Sequence, residues 1–247
     1  MKAIVLGAGY GTRLHPLTRD LPKPLIAVGG KPILEHILGK IGEVPVVEGV
    51  LLVTNARFTS HFEDWKTGFH WGKPIEVLND GTTSNENRLG AVGDIYFALK
   101  EKGINEEVLV VGGDNLFEFD LRKAWAFFED KGSSVVGLYN MGDKAKVAGL
   151  YGVVSIDEAS RIVDFEEKPK HPKSALISTA LYFLTRQDVE TLKDYIEKRN
   201  SPDNLGDFIR YLIKRCSVFG YVFGEKWFDI GSHEEYERAN DYFSKTG

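Results

Sequence analysis

The sequence predicts an α/β fold: a mainly parallel mixed sheet between two helical layers, extended by a small antiparallel lobe. Short apolar runs of the kind found in strands covered on both faces recur through the first half of the chain. Stretches with helical periodicity separate them, and this alternation favours parallel pairing. The runs are "KAIVLGA", "GVLLVTN", "IEVLND", "VLVVGGD" and "SVVGLYN". After about residue 140 the pattern changes, and strands follow one another across a short turn.

Three segments in the first half have helical character: "KPILEHILGKIG", "RLGAVGDIYFALKEKG" and "LRKAWAFFEDKG". In the first, Ile33, Ile37 and Ile41 recur at the spacing of one helix face. In the third, Asp120 is placed as an N-cap and Gly132 as a stop. These segments therefore supply the helical layers.

The second half begins with "YGVVSIDEASRIVDFEEKP", which predicts two strands around a turn at residues 157–160. Strands at "SALISTALYFL" and "SVFGYVF" follow, together with helices that begin at Thr185 and Ser232, where Asp188 and Glu235 complete capping-box patterns. No repeat or long linker separates the halves. We therefore expect one domain over residues 1–247, made of halves 1–140 and 141–247, with the antiparallel lobe joined to the same sheet.

Composition limits the function. The net charge of −5 and a pI of about 5.7 argue against a general nucleic-acid or membrane-surface binder. No apolar stretch approaches the ~20 residues of a membrane span, and the N-terminal apolar run is too short for a signal peptide, so we expect a cytoplasmic protein. The single cysteine, Cys216, excludes an intramolecular disulfide. We expect it to be a small buried side chain beside a helix end.

The loop "LGAGYGTRLHPLTRDLPKPL" follows the first strand and combines glycines with two cations. Backbone amides near a helix start can bind an anion, and the Arg13 guanidinium suits phosphate oxygens. Pro22 and Pro24 restrict the backbone around Lys23. Thr12 stands where a dinucleotide-binding fingerprint needs glycine, and no Gly-Lys-Ser/Thr ends the run. The loop is thus a phosphate site of another style, or a tight turn with two solvated cations.

This region contains every element of the signature G-x-G-T-R-L-x-P-L-T followed by P-K-P, and it resembles the sugar-phosphate nucleotidyltransferases. "VGGDNLF", "YGVV" with "DFEEKP", and "KWFDIGSHEEYERAN" resemble later elements of that family, in the same order. The resemblance covers nearly the whole chain. It implies a Rossmann-like three-layer core of the nucleotide-diphospho-sugar transferase type, in the short form without the C-terminal β-helix of some members.

The resemblance also implies a reaction. A sugar 1-phosphate oxygen attacks the α-phosphorus of a nucleoside triphosphate, pyrophosphate leaves, and a nucleotide-diphosphate sugar forms with the help of Mg²⁺. Positioning and electrostatics can catalyse such a transfer without a protein nucleophile. The implied partners are these two substrates, with no nucleic acid or membrane, and a homo-oligomer is expected on family grounds alone.

Individual roles follow from the resemblance. Residues 1–140 bind the nucleotide and residues 141–247 the sugar phosphate. Arg13 and Lys23 are catalytic and hold the triphosphate, Asp114 and Asp229 bind Mg²⁺, and Glu167 and Lys168 hold the sugar phosphate. The nucleotide-binding residues are Leu6, Gly7, Ala8, Gly9, Gly11, Thr12, Asn85 and Gly90.

Two segments depart from the family pattern and leave the substrates open. Asn85 replaces the usual glutamine beside the nucleobase, the usual proline is missing, and Arg88 is present. Thr179 and Ala180 occupy places where asparagine and glycine are common in the sugar pocket. Neither the base nor the sugar can be assigned from these departures.

Three alternatives remain. The first is cytidylyl transfer to phosphocholine or another small phospho-alcohol. The second is a glycosyltransferase with a similar core, but its Asp-x-Asp motif is replaced here by Asp114, Asn115 and Leu116. The third is a non-catalytic sugar-nucleotide sensor, although a pure binder needs no paired metal ligands.

Overall fold

The computed structural model describes residues 1–246. The helices within this range are α1 (Ile33–Gly42), α2 (Thr59–Gly68), α3 (Ala91–Glu101), α4 (Leu121–Lys131), α5 (Arg186–Glu197), α6 (Leu205–Leu212) and α7 (His233–Thr246). The strands are β1 (Lys2–Leu6), β2 (Ala27–Val28), β3 (Lys31–Pro32), β4 (Gly49–Thr54), β5 (Ile75–Asn79), β6 (Val108–Gly112), β7 (Asn115–Phe117), β8 (Val135–Asn140), β9 (Gly152–Ile156), β10 (Ile162–Glu167), β11 (Leu176–Leu184), β12 (Phe219–Phe223) and β13 (Trp227–Asp229).

One large mixed sheet organises the described chain. Its first part has the order β5-β4-β1-β6, and all of these strands run parallel. Strand β11 then pairs antiparallel with β6, and both β8 and β9 pair antiparallel with β11. Strand β10 extends β9, and β12 lies parallel to β8. The predicted α/β class and its antiparallel extension are therefore confirmed.

The core has three layers because β1 is buried on both faces. Val5 belongs to an apolar cluster with Ile37 of α1, whereas the adjacent Ile4 belongs to a cluster with Ile95 of α3. This alternation is the period-two pattern of a strand covered on both sides. Within α1, the predicted face of isoleucines is fully buried. Helices α1 and α3 therefore cover opposite faces of β1.

Side-chain caps begin the helices, and a glycine ends one of them, at the residues that the sequence predicts. Asp120 accepts a hydrogen bond from the Arg122 amide at the start of α4, and Gly132 ends that helix with a φ of +55°. Thr185 Oγ1 accepts from the Asp188 amide at the start of α5. In the predicted turn, the Asp157 carboxylate accepts from backbone amides. Capping geometry thus follows directly from side-chain type.

The expectation that Cys216 is buried is wrong. Its side chain is exposed in the turn after α6, and Leu212 and Val218 fill the neighbouring core positions. The thiol lies 3.4 Å from Asp188 Oδ1. Desolvation and that carboxylate raise the pKa of Cys216 to about 12, so the thiol is protonated at neutral pH.

Across residues 1–246, none of the helices combines the length and the apolar character needed to span a bilayer.

Candidate active site

A cleft of about 290 Å³ opens at the carboxyl ends of β1 and β6. Parallel sheets place ligands at this edge, because loops there can carry polar groups without interrupting the strands. Polar groups from three separate parts of the chain meet in the cleft. The lining residues are Leu6, Gly7, Gly9, Tyr10, Gly11, Thr12, Arg13, Leu14, Lys23, Pro24, Asn85, Arg88, Gly113, Asp114 and Gly231.

The glycine loop has a fixed shape at the mouth of the cleft. Gly11 has a φ of +61°, and a side chain there would place its Cβ 2.9 Å from Thr18 Cγ2. Thr18 Oγ1 donates to the Gly11 carbonyl at 2.6 Å. Behind the loop, Asn55 Nδ2 donates to the Ala8 carbonyl at 2.8 Å. Glycine at position 11 therefore allows a close turn that leaves backbone exposed to a ligand.

Lys23 is aimed at the cleft floor, as the flanking prolines predict. Its Nζ lies 2.7 Å from Asp114 Oδ2, and the residue is 9% exposed. Burial alone would raise the pKa of Asp114, but the Lys23 ammonium and the hydrogen bonds to the carboxylate outweigh burial and lower it. Arg13 adds a second cation to the same cleft.

Asp114 and Asp229 meet through a short strand pair that sequence analysis missed. Strands β7 and β13 pair antiparallel, with Asn115 opposite Asp229, and the Ile230 amide donates to the Asp114 carbonyl at 3.0 Å. Burial and the Asp114 charge raise the pKa of Asp229 to about 6. Two carboxylates in this proximity fit a hard divalent cation, which favours oxygen ligands and relieves their repulsion.

Asn115 fixes the orientation of the Asp114 carboxylate. Its Nδ2 donates to Asp114 Oδ1 at 2.8 Å, and its Oδ1 accepts from Trp227 Nε1 at 2.9 Å. Because both ends of the amide are bonded, Asn115 cannot rotate freely. No group of three or more His, Cys, Asp or Glu side chains suited to a metal occurs in the described chain. Any cation here would therefore take its remaining ligands from water and substrate.

Glu167 and Lys168 lie at the end of β10, outside the lining of the cleft. The Glu167 carboxylate lies beside Gly206, where an added Cβ would be 2.7 Å from Oε2, and burial raises its pKa. Lys168 has a φ of +45°, its side chain is exposed, and its amide donates to the Tyr151 carbonyl. Burial and then the Asp229 charge raise the pKa of Tyr151, and Arg13 acts in the opposite direction, so the Tyr151 hydroxyl is within electrostatic reach of both residues.

Asn85 and Gly90 have different positions. Asn85 lines the cleft, as expected, but Gly90 lies beneath it at the start of α3. A Cβ on Gly90 would lie 2.5 Å from the Asp203 Cα, so glycine is needed there for close backbone packing. Arg88 donates to both Asp203 oxygens, at 3.1 and 2.9 Å, and to the Asn85 carbonyl. This ion pair ties the loop beside Asn85 to the segment before α6.

The structure brings most of the predicted residues into one place. Those that line the cleft are Leu6, Gly7, Gly9, Gly11, Thr12, Arg13, Lys23, Asn85 and Asp114. Those that do not line it are Ala8, Gly90, Glu167, Lys168 and Asp229, although Asp229 acts directly on Asp114. Sequence reasoning missed Tyr10 and Gly231, which line the cleft from within two of the quoted motifs.

Residues 2–246 match the nucleotidyl transferase family. The chain belongs to that family. Among its relatives, the bifunctional protein GlmU of Methanocaldococcus jannaschii is 31% identical over 98% of this chain and 54% of its own length. A mannose-1-phosphate guanylyltransferase of Mycobacterium tuberculosis is 31% identical over 96% of this chain and 63% of its own length. The chain thus spans little more than half the length of the first of these relatives.

The fold of this nucleotidyl transferase family member matches that of solved structures. A UDP-glucose pyrophosphorylase crystallised with UDP-glucose superposes with a TM-score of 0.83 and 23% identity, covering 100% of this chain and 99% of that one. The likeness confirms the architecture, including the mixed sheet with its parallel centre.

Proposed function

We propose that this protein transfers a nucleoside monophosphate from a nucleoside triphosphate to a sugar 1-phosphate, giving a nucleotide-diphosphate sugar and pyrophosphate. The observation that carries the proposal is the convergence of Arg13, Lys23, Asp114 and Asp229 at the end of the parallel strands. Two cations and two carboxylates form a site for a polyanion together with its counter-cation. Family membership and the names of the relatives support the same reaction.

The glycine loop and the cations would bind the triphosphate. The backbone from Gly9 to Arg13 faces the cleft and can donate to phosphate oxygens, while the Arg13 guanidinium can bind two oxygens at once. Lys23 is already held at the cleft floor, so little side-chain freedom is lost when it contacts an α-phosphate oxygen. Charge stabilisation by preorganised cations is then the main catalytic effect of the chain.

Asp114 and Asp229 would hold Mg²⁺, and their paired carboxylates fit that ion. When bound, Mg²⁺ supplies positive charge to phosphate oxygens that this acidic pair would otherwise repel. Asn115 would keep the Asp114 carboxylate oriented toward the cleft, because both ends of its amide are already bonded. Lys23, now paired with Asp114, would be free to contact phosphate once that carboxylate has another partner.

Glu167 and Lys168 would receive the sugar phosphate from the antiparallel side of the sheet. The half-buried Glu167 carboxylate suits an acceptor of hydrogen bonds from sugar hydroxyls, and the exposed Lys168 ammonium suits a phosphate. The Tyr151 carbonyl accepts from the Lys168 amide, and the charge of Asp229 reaches the Tyr151 hydroxyl, so the two substrates would meet near Tyr151. An in-line attack on the α-phosphorus would place the sugar phosphate opposite the leaving pyrophosphate.

The test is pyrophosphate release with Mg²⁺, crossing the common nucleoside triphosphates with a panel of sugar 1-phosphates and phosphocholine. We expect release that requires both substrates and falls at least 100-fold in Asp114→Ala, the scale of loss when an electrostatic catalytic group is removed. Asp130→Ala, on an exposed face of α4, is the matched control and should retain activity.

The outcome also separates the alternatives. Turnover with phosphocholine and not with sugars would show a cytidylyltransferase or a related enzyme for small phospho-alcohols. Tight triphosphate binding without pyrophosphate release from any pair would contradict the catalytic proposal and indicate a sensor. The cell compartment and the oligomeric state are separate proposals, a cytoplasmic homo-oligomer, to be checked by fractionation and by light scattering.

A further inference from the structure

Asp80 and Asp94 form a buried carboxyl pair behind the nucleotide loop. Asp94 lies in the first turn of α3 and is 7% exposed, and Asp80 directly follows β5. Beyond the effect of burial, the two carboxyl groups are close enough that the charge of Asp80 and a hydrogen bond to it both raise the pKa of Asp94. Asp94 Oδ1 and Asp80 Oδ2 are both closed to solvent, and neither receives a hydrogen bond from another donor in the described residues.

Two bare carboxylates cannot remain in such a contact. Each would leave a buried charged oxygen without a donor, and their like charges would repel at low dielectric. A single proton between Asp94 Oδ1 and Asp80 Oδ2 supplies the missing donor to one oxygen and an acceptor to the other. The unpartnered oxygens are therefore explained together.

We propose that Asp94 is protonated and donates a hydrogen bond to Asp80, and that this contact positions the nucleotide-binding side of the cleft. The inference rests on the proposed function. Asp94 and Asp80 are positioning residues, since neither lines the cleft. Neither residue belongs to the motifs quoted above for the family resemblance.

A hydrogen-bonded chain connects the pair to the cleft. The other Asp80 oxygen, Oδ1, accepts from the Thr82 amide and from Thr82 Oγ1, both at 2.7 Å. Thr82 is 4% exposed, and its Oγ1 lies 3.3 Å from the Tyr10 hydroxyl. Because Oγ1 gives its proton to Asp80, it must accept from Tyr10, which lines the cleft within the glycine loop. Asp80 thus orients Thr82, and Thr82 orients Tyr10.

The surroundings keep the proton in place at neutral pH. Burial, together with the Asp80 charge, raises the pKa of Asp94 to about 8. Strands β1 and β4 present apolar side chains to α3, among them Ile4 and Val53. Charged groups on the other elements around α3 have partners of their own: Lys193 on the Ile104 carbonyl, Glu197 on the Tyr96 hydroxyl, Asp207 on Arg210, and Asp203 on Arg88.

A pH-dependent nucleotide affinity follows. Above about pH 8 the proton is lost, the carboxylates repel, and the support of Tyr10 through Asp80 and Thr82 weakens. The pKa of Asp94 is raised in the folded state, so its contribution to stability is fully present in acid and declines from the ordinary aspartate range up to about pH 8. The reacting groups in the cleft are not part of this chain of contacts.

The test compares the wild type with Asp94→Asn and Asp94→Leu. The amide introduced by Asp94→Asn can donate to Asp80 Oδ2 without a titrating proton, whereas leucine cannot donate at all. For the wild type we expect the triphosphate KM to rise roughly fivefold between pH 7 and pH 9, about the loss of one hydrogen bond, with kcat preserved. Asp94→Asn should have a flat KM over this range, and Asp94→Leu a raised KM throughout.

Two further readouts do not depend on catalysis. The melting temperature of Asp94→Asn should gain on that of the wild type as pH rises from 6 to 9. An infrared band of a protonated carboxyl group should be present in the wild type at pH 7 and absent in Asp94→Asn. These readouts decide the protonation even if no substrate pair is turned over, which separates this inference from the proposed function.

Parallel pH profiles for the wild type and Asp94→Asn would overturn the proposal. A second result would also overturn it: the wild type lacks the carboxyl band, and Mg²⁺ or Ca²⁺ raises the melting temperature of the wild type but not that of Asp94→Asn. A cation would then occupy the place of the proton. If the wild type shows the carboxyl band but its triphosphate KM does not depend on pH, Asp94 is protonated and the positioning role of the pair is refuted.

Discussion

Lys23→Met tests whether the buried ammonium is the counter-charge of the Asp114 and Asp229 carboxylates. The substitution keeps an unbranched apolar chain of similar length and removes only the charge. The Lys23 side chain is 11% exposed, and the side chain of its partner Asp114 is 36% exposed. Removing one partner of a fully buried ion pair costs about 3–5 kcal/mol, but solvent screening at the half-open carboxylate reduces this.

We therefore expect the free energy of unfolding to fall by roughly 1–2 kcal/mol at pH 8 without Mg²⁺. For a chain of this length, that change lowers the melting temperature by roughly 3–6 °C. Lys66→Met is the matched control: Lys66 pairs with Glu63 on the exposed face of α2, where a pair contributes about 0.5 kcal/mol or less.

The sign of the pH dependence identifies the cause. Lys23 lowers the pKa of Asp114, so the stability that this pair provides is present above the ordinary aspartate range and is lost as pH falls. The difference in the free energy of unfolding between wild type and Lys23→Met should increase as pH rises above about 4. Millimolar Mg²⁺ should reduce this difference at pH 8. A difference of the same size at pH 4 and pH 8, unchanged by Mg²⁺, would show lost packing and refute the electrostatic reasoning.

Two other substitutions probe the geometry of the cleft. Gly113→Ala places a Cβ 2.6 Å from the Leu6 carbonyl oxygen, so pyrophosphate release should fall at least tenfold and the melting temperature should drop. Gly39→Ala is the control: a Cβ there meets nothing within 4 Å on the exposed face of α1, so this substitution should raise the melting temperature slightly. Equal melting temperatures of the two variants would contradict this reasoning. Arg88→Lys cannot reproduce the two-pronged contact with Asp203, so the triphosphate KM should rise severalfold with kcat nearly unchanged, measured by initial rates.

The parallel part of the sheet could be predicted because its central strands, β1, β4 and β6, are apolar on both faces. Helix α2 could not, because "TSHFEDWKTG" buries only Phe62 and so shows little periodicity. Helix α6 was missed because it has only eight residues. Strands β7 and β13 have three residues each, and more than 100 residues separate them, so no local signal marks their pairing.

The candidate site divides in the same way. Arg13, Lys23 and Asp114 could be placed together because strand ends of a parallel sheet share one edge. The contacts of Arg88 with Asp203 and of Asp80 with Asp94 depend on how α3 packs, which periodicity does not specify. Thr179 and Ala180 depart from the pattern of the family in the sequence. The structure explains the second departure: Ala180 has a φ of +52° at an irregularity of β11, a conformation that favours the glycine common at this place.

The position of β11 has a consequence for the synthesis of this chain. Strand β6 needs β11 to complete its hydrogen bonding, yet residues 113–175 separate them. At 5–20 residues per second, the ribosome takes roughly 3–13 s to deliver that interval, and β6 is left with an open edge meanwhile. An unpaired apolar edge attracts other strands. The nascent chain is therefore most vulnerable to misassociation before Leu184 emerges, and slow codons before that point would prolong the exposure.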